Sequence, residues 1–233
     1  MNTAADLRAS SAEVPDADPE PVRLSSTGRV EAFSDGVMAI AITLLVLDLR
    51  VPTQEQVAAA NGDLVAVLGT RWPSYVAYLA AFLTIGIIWL NHHAFIHKLV
   101  RMDATLLWLN LLMLLGVATL PFPTALLAEF VGDGGRPAAT AALIYGLLSV
   151  ATALPWVLMW RHIRDHPELL AHGLGDDHAR AELRRASMGP IIYVVAIPLA
   201  LVAPLLALVF YLAISVIYAI SSQGARVGAE ASE

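Results

Sequence analysis

Five apolar runs recur along the chain, at residues 32–49, 75–90, 104–127, 138–160 and 188–220, and the second continues with polar character to residue 97. A bilayer-spanning helix needs about 20 mostly apolar residues at 1.5 Å rise each, so the pattern predicts a helical membrane protein. The last run has 33 residues without a charge. As one helix it would be ~50 Å long, against a hydrocarbon core of ~30 Å. Pro198 and Pro204 interrupt it, and it reads as two short helices, 187–202 and 204–221, with a turn near Ala203-Pro204. The expected fold class is therefore all-α, with six transmembrane helices per subunit. Five spans with one kinked helix is the alternative, because proline is tolerated inside membranes.

Three segments follow from this pattern. Residues 1–28 hold Asp6, Glu13, Asp16, Asp18 and Glu20 against Arg8 and Arg23, with three prolines, and read as a disordered polar tail. Residues 29–221 form the six-helix membrane domain, and residues 222–233 a second polar tail. No basic segment followed by an apolar one opens the chain, so no cleaved signal is expected.

Composition agrees with the pattern. Of the 233 residues, 58% are apolar and 15% charged, and the mean hydropathy is +0.66. Soluble domains have about 45–50% apolar and about 25% charged residues. The net charge of −6 argues against nucleic acid as a partner. With no cysteine, disulfides and thiolate chemistry are excluded.

The distribution of positive charge orients the spans. With six helices, one side collects Arg8, Arg23, Arg29, Lys98, Arg101, Arg161, Arg164, Arg180, Arg184, Arg185 and Arg226, and the other only Arg50, Arg71 and Arg136. Lys and Arg concentrate in cytoplasmic loops, so both termini are expected in the cytoplasm.

The first span is unusual. Its uninterrupted apolar part, 36–47, is only 12 residues long, and Arg29, Glu31, Asp35 and Asp48 lie within or beside it. Ionisable groups at membrane depth face protein or water, which points to a helix inside an assembly. Ile40, Leu44 and Leu47 lie at i, i+4 and i+7 on one face, with Thr43 adjacent. Two readings are open. The stripe packs against another helix, with Thr43 bonded to the carbonyl four residues earlier. Alternatively it lines a pore, with apolar rings as a constriction and a hydroxyl ring between them.

The second span closes on Trp89-Leu90-Asn91-His92-His93, followed by His97. His93 and His97 share a face, but two histidines without a carboxylate or third ligand are a weak metal signal, and no metal is expected. The third span ends in Leu120-Pro121-Phe122-Pro123-Thr124, where two prolines deform or end a helix. The fourth places Ala138, Ala142, Gly146 and Ala153 on nearly one face, suited to close helix packing. His162, His166, His172 and His178 are expected in the polar connection between the fourth and fifth spans. No phosphate loop, nucleophile elbow or HExxH motif is present, so no enzyme activity is expected. No TVGYG-like filter and no internal repeat occur either.

Arg29-Val30-Glu31-Ala32-Phe33-Ser34-Asp35 resembles the RxxxFSD signature of the transmembrane protein 175 family, endosomal and lysosomal cation channels with bacterial homologues. The resemblance continues through Gly36 to Thr43, in Trp89 to His93, and from Asn110 to Thr124. It covers spans one to three in detail and the others by hydropathy and length. The resemblance implies a homotetramer of single six-helix repeats, with the first helix lining a central pore. Ile40, Leu44 and Leu47 then match the constriction, and Thr43 a hydroxyl layer associated with selectivity among monovalent cations. Arg29, Phe33, Ser34 and Asp35 match the signature. With Trp89, His92 and Asn110 they would form a polar network joining helices one to three. Ala39 stands where some relatives carry serine.

The expected function is a passive potassium-permeable cation channel in the lipid bilayer, with K⁺ as permeant ion and no cofactor. The rival is a secondary transporter using Asp35 and the second-span histidines as a relay. A relay needs ionisable groups near the midplane, where this first span offers only Thr43 among apolar residues, and that favours a pore.

Overall fold

The computed structural model describes residues 26–132, 134–211 and 213. Helix α1 covers Ser26–Leu44 and tightens into a 3₁₀ turn at Leu45–Asp48. Two short helices follow, α2 at Gln54–Ala59 and α3 at Leu64–Thr70. Then come α4 (Trp72–Ile96), α5 (Ala104–Thr119), α6 (Pro121–Phe130), α7 (Gly135–Asp165) and α8 (Asp176–Val202).

Five helical stretches among the described residues are long and apolar enough to cross a membrane: Thr27–Asp48, Trp72–Ile96, Ala104–Phe130, Gly135–Asp165 and Asp176–Val202. The chain is an all-α membrane protein. The break expected near residue 203 is present: Ala203 leaves helical geometry at φ −146°, ψ 72°, and residues 204–211 are helical again. Proline pushes its preceding residue out of the α region, which places the break before Pro204. Pro198, expected to interrupt as well, stays inside α8. The rest of the sixth span, 214–221, and both tails except 26–28 lie outside the described residues.

Local chemistry sets the boundaries. The Asp103 carboxylate caps α5 by accepting from the Leu106 N–H, and Thr53 and Gln56 close a reciprocal cap on α2. The third span breaks where the double proline was expected to disturb it. Leu120 remains in helical geometry between α5 and α6, while Pro121 and Pro123 cannot donate backbone bonds.

Two expectations change. The second span begins at Trp72, three residues before the apolar run. The connection between spans four and five is shorter than expected, because helix continues through its polar ends. His162 lies in the last turns of α7 and His178 in the first of α8. Hydropathy marks only the part of a helix that meets lipid, and a helix can extend into water on polar residues.

One core joins α1, α4, α5 and the C-terminal part of α7, with Leu45, Leu106, Val117 and Met159 fully enclosed. A second joins α6, the first half of α7, the second half of α8 and Ala207, Leu208 and Tyr211. The small-residue face of α7 receives Tyr211, whose hydroxyl lies 2.7 Å from where a Cβ on Gly146 would stand. Gly116 of α5 is equally constrained, since a Cβ there would sit 2.8 Å from the Thr152 Cα.

Candidate functional site

The first span has two faces, and the sequence dictates both. Ser34, Met38, Ala41 and Leu45, at i, i+4, i+7 and i+11, are buried against α4 and α5. The opposite face holds Phe33, Ile40, Leu44 and Leu47, with exposures of 56%, 62%, 45% and 72%. Arg29, Ala32, Gly36, Ala39 and Thr43 share that exposed side. Among the described residues, nothing covers this side of the helix from Arg29 to Leu47, including all three residues of the candidate constriction.

Thr43 lies on this open side. Its hydroxyl donates to the carbonyls of Ala39 and Ile40, 2.9 Å from each. The backbone bond expected under the packing reading exists, but no helix among the described residues covers Thr43.

The inner side carries polar anchors. Ser34, His92 and Asn110 are all buried. The Asn110 amide Nδ2 donates to Ser34 Oγ at 3.1 Å, and its Oδ1 lies 2.8 Å from His92 Nε2. An amide oxygen only accepts, so His92 carries its proton on Nε2. One asparagine on α5 thus joins α1 and α4, and every bond replaces water that the buried groups would otherwise need.

A second set of bonds forms a ladder between α1 and α4. The Trp89 indole donates to Asp35 Oδ1 at 2.9 Å. One turn away on both helices, His93 Nδ1 lies 2.8 Å from Glu31 Oε1, and His97 Nε2 lies 3.6 Å from the same oxygen. Of the two aromatic members of the expected network, Trp89 reaches Asp35, while His92 turns inward to Asn110. Arg29 and Phe33 join neither set. They stand on the open face, and Arg29 has no hydrogen-bond or ion-pair partner among the described residues.

Sequence reasoning noted Glu31 only as a nearby charge. The missing signal was a matched period: 31 and 35 on one helix, and 89, 93 and 97 on the other, each four apart. Two antiparallel helices with the same four-residue polar spacing can pair rung by rung.

The end of the bundle that carries the ladder is tied together by its connections. Val100 N–H donates to Leu169 O at 2.9 Å and Ala171 N–H to Lys98 O at 2.8 Å. Lys98 pairs with Glu182 at 2.6 Å, and His162 Nε2 lies 2.7 Å from Asp103 Oδ2. Partial burial pushes the Asp103 carboxyl up, but the Leu106 N–H and the His162 ring outweigh it and hold the group below its ordinary value of 3.8. Arg50 and Arg71 lie at the opposite end, where Arg71 donates to the Arg50 carbonyl at 2.7 Å.

Comparison with known proteins places this geometry among relatives. The sequence model of the family described as "Endosomal/lysosomal potassium channel TMEM175" matches residues 29–121. A potassium channel of Streptomyces collinus is 45% identical over 183 residues, which is 78% of this chain and 86% of that protein. A potassium channel of Chamaesiphon minutus is 38% identical over 198 residues, 85% of this chain and 96% of the relative. Among solved structures, the crystal structure of a lysosomal potassium-selective channel TMEM175 homolog from Chamaesiphon minutus superposes with a TM-score of 0.75 at 36% identity. It covers 84% of this chain and 97% of that one.

Proposed function

The chain belongs to the endosomal/lysosomal potassium channel TMEM175 family, and on that premise we propose that it is a potassium channel whose pore is lined by α1 from four copies around a central axis. The observation that carries this reading is the uncovered face of α1. An apolar helix anchored on one side by Ser34, Met38, Ala41 and Leu45, and bare on the other, is the expected state of a pore-lining element taken from its assembly.

Ile40, Leu44 and Leu47 then form stacked apolar rings. A narrow ring of this kind excludes water and closes the path by dewetting. Thr43 supplies the oxygen that the apolar rings lack. Its proton is engaged within its own helix, so the lone pairs on the exposed side stay available to a cation shedding water. Four neutral hydroxyls hold a monovalent ion weakly enough to release it. Asp35, Trp89, Ser34, His92 and Asn110 fix the helix behind the pore. Residues 29–221 form the channel domain, and the end rich in Lys and Arg faces the cytoplasm of the inner membrane together with both termini.

The test is purification, mass measurement of the assembly, and flux in vesicles with K⁺ on one side and Na⁺ on the other. A tetramer passing K⁺ down its gradient without a coupled ion is the expected outcome. Flux that requires an opposing proton gradient would overturn the reading in favour of exchange through Asp35 and the second-span histidines.

A further inference from the structure

Glu31, His93 and His97 bring a carboxylate and two imidazoles from two helices to one point. One ligand atom from each lies within 4.8 Å of the other two. The sequence showed only the histidine pair; the fold adds the carboxylate that the pair lacked. We propose that these three residues form a binding site for a divalent transition-metal cation of the zinc class, joining the pore-lining helix α1 to α4.

The donor set suits this ion. Two imidazole nitrogens and one carboxylate oxygen are ligands that zinc takes at about 2.0–2.2 Å, with water in the fourth position of a tetrahedron. Bonds of that length set the donor atoms about 3.3 Å apart. The Glu31 oxygen stands 2.8 Å from His93 Nδ1 and 3.6 Å from His97 Nε2, on either side of that value. Magnesium and calcium prefer all-oxygen shells, so they are poor occupants.

The surroundings allow entry and hold the ligands. Glu31 is largely enclosed, while the His93 and His97 side chains are 43% and 63% exposed, which leaves room for the water ligand. The His93 ring stacks on Trp89, with centroids 6.1 Å apart and planes at 26°, and Trp89 is itself held by Asp35 of α1. Such a supporting shell orients a ligand before the ion arrives. Without the ion, His93 Nδ1 and Glu31 Oε1 lie in hydrogen-bond contact; an ion between them would take the place of that bond.

The consequence for transport rests on the channel reading given above. Widening a ring of Ile40 side chains requires α1 to move against its neighbours. An ion bonded to α1 through Glu31 and to α4 through the histidines stiffens that joint, so zinc lowers K⁺ flux.

The experiment titrates zinc chloride into the purified full chain by calorimetry, with magnesium chloride as the control cation, and repeats the titration on Glu31→Gln, His97→Ala and His162→Ala. Glu31→Gln keeps the shape and a hydrogen bond, and His97 is exposed, so both variants should fold. One zinc per chain is expected, weakened at least ~10-fold in Glu31→Gln and His97→Ala, unchanged in His162→Ala, and with no magnesium heat. Wild type without zinc binding, or affinity lost in His162→Ala alone, overturns the site. Potassium flux is then recorded on the same samples. A fall on zinc addition in wild type but not in His97→Ala supports the clamp. Zinc binding without a change in flux removes the clamp and leaves the site. A wild type that passes no K⁺ at all defeats the channel reading while the calorimetry still decides the site.

Discussion

Trp89 Nε1 donates to Asp35 Oδ1 at 2.9 Å, so the signature carboxylate of the first span is held by an indole of the second. Hydrogen bonds to a charged group contribute about 1.5–3 kcal/mol, and this one is partly open to solvent, which lowers its share. Trp89→Phe removes the donor together with part of the ring that stacks on His93, and should destabilise the purified protein by about 1–2 kcal/mol. Thermal unfolding in detergent measures the loss, and ion selectivity in vesicles should stay as in the parent. Altered selectivity with unaltered stability would place Asp35 on the ion path.

Asn110 offers a larger effect. It satisfies both Ser34 and His92 inside the bundle, and all three are buried. Asn110→Leu keeps the volume and orphans both partners, at about 1–3 kcal/mol for each. The expected result is loss of assembled protein in size-exclusion chromatography and a clear drop in unfolding temperature. Stability equal to wild type would show that the two partners find water or each other.

At the candidate constriction, Ile40→Asn wets an apolar ring. A barrier lowered by ~1.4 kcal/mol raises flux about tenfold. Single-channel or vesicle recordings should show higher resting conductance in assemblies of normal mass. Unchanged flux would remove Ile40 from the gate.

Thr43 separates by two substitutions. Thr43→Val keeps the shape without the oxygen, and Thr43→Ser keeps the oxygen. If the four hydroxyls together differ by about 1 kcal/mol in their interaction with the two ions, the K⁺/Na⁺ permeability ratio falls roughly fivefold in the valine variant. It should largely survive in the serine variant. Reversal potentials identical to the parent in Thr43→Val would exclude the hydroxyl from selectivity.

Acid should loosen the tied end of the bundle through Asp103. Its folded carboxyl titrates below the ordinary 3.8, because the Leu106 N–H and His162 outweigh partial burial. The folded state therefore binds protons less readily than the unfolded chain. The resulting stability is present above the ordinary value and is lost as pH falls through the depressed one. Unfolding temperatures followed from about pH 5 to about pH 3 should decline, and the decline should be shallower in Asp103→Asn. Parallel curves for the two proteins would contradict this linkage.

The stripe of Ile40, Leu44 and Leu47 was legible because a helix repeats every 3.6 residues, and the break before Pro204 because proline restricts its neighbour. Contacts between helices were harder to read. Asp35 gave no sign of whether Trp89 or His92 would reach it, since both sit at the end of the same span and only the rotation of α4 decides. Glu31 escaped the candidate site for the same reason: its partner His93 is 62 residues away, and no local pattern joins them. The polar ends of α7 and α8 were read as loop because hydropathy detects lipid contact and says little about helices that continue into water.

The Thr43 hydroxyl also bears on the sign of the ion. Both of its close contacts are carbonyl acceptors in its own helix, so its one proton is already directed backward. A chloride ion needs donors to replace its hydration, and this residue has none left to offer. If this face lines the pore as proposed, the level of Thr43 offers a passing ion oxygen lone pairs and no free proton, which favours a cation there without any fixed negative charge.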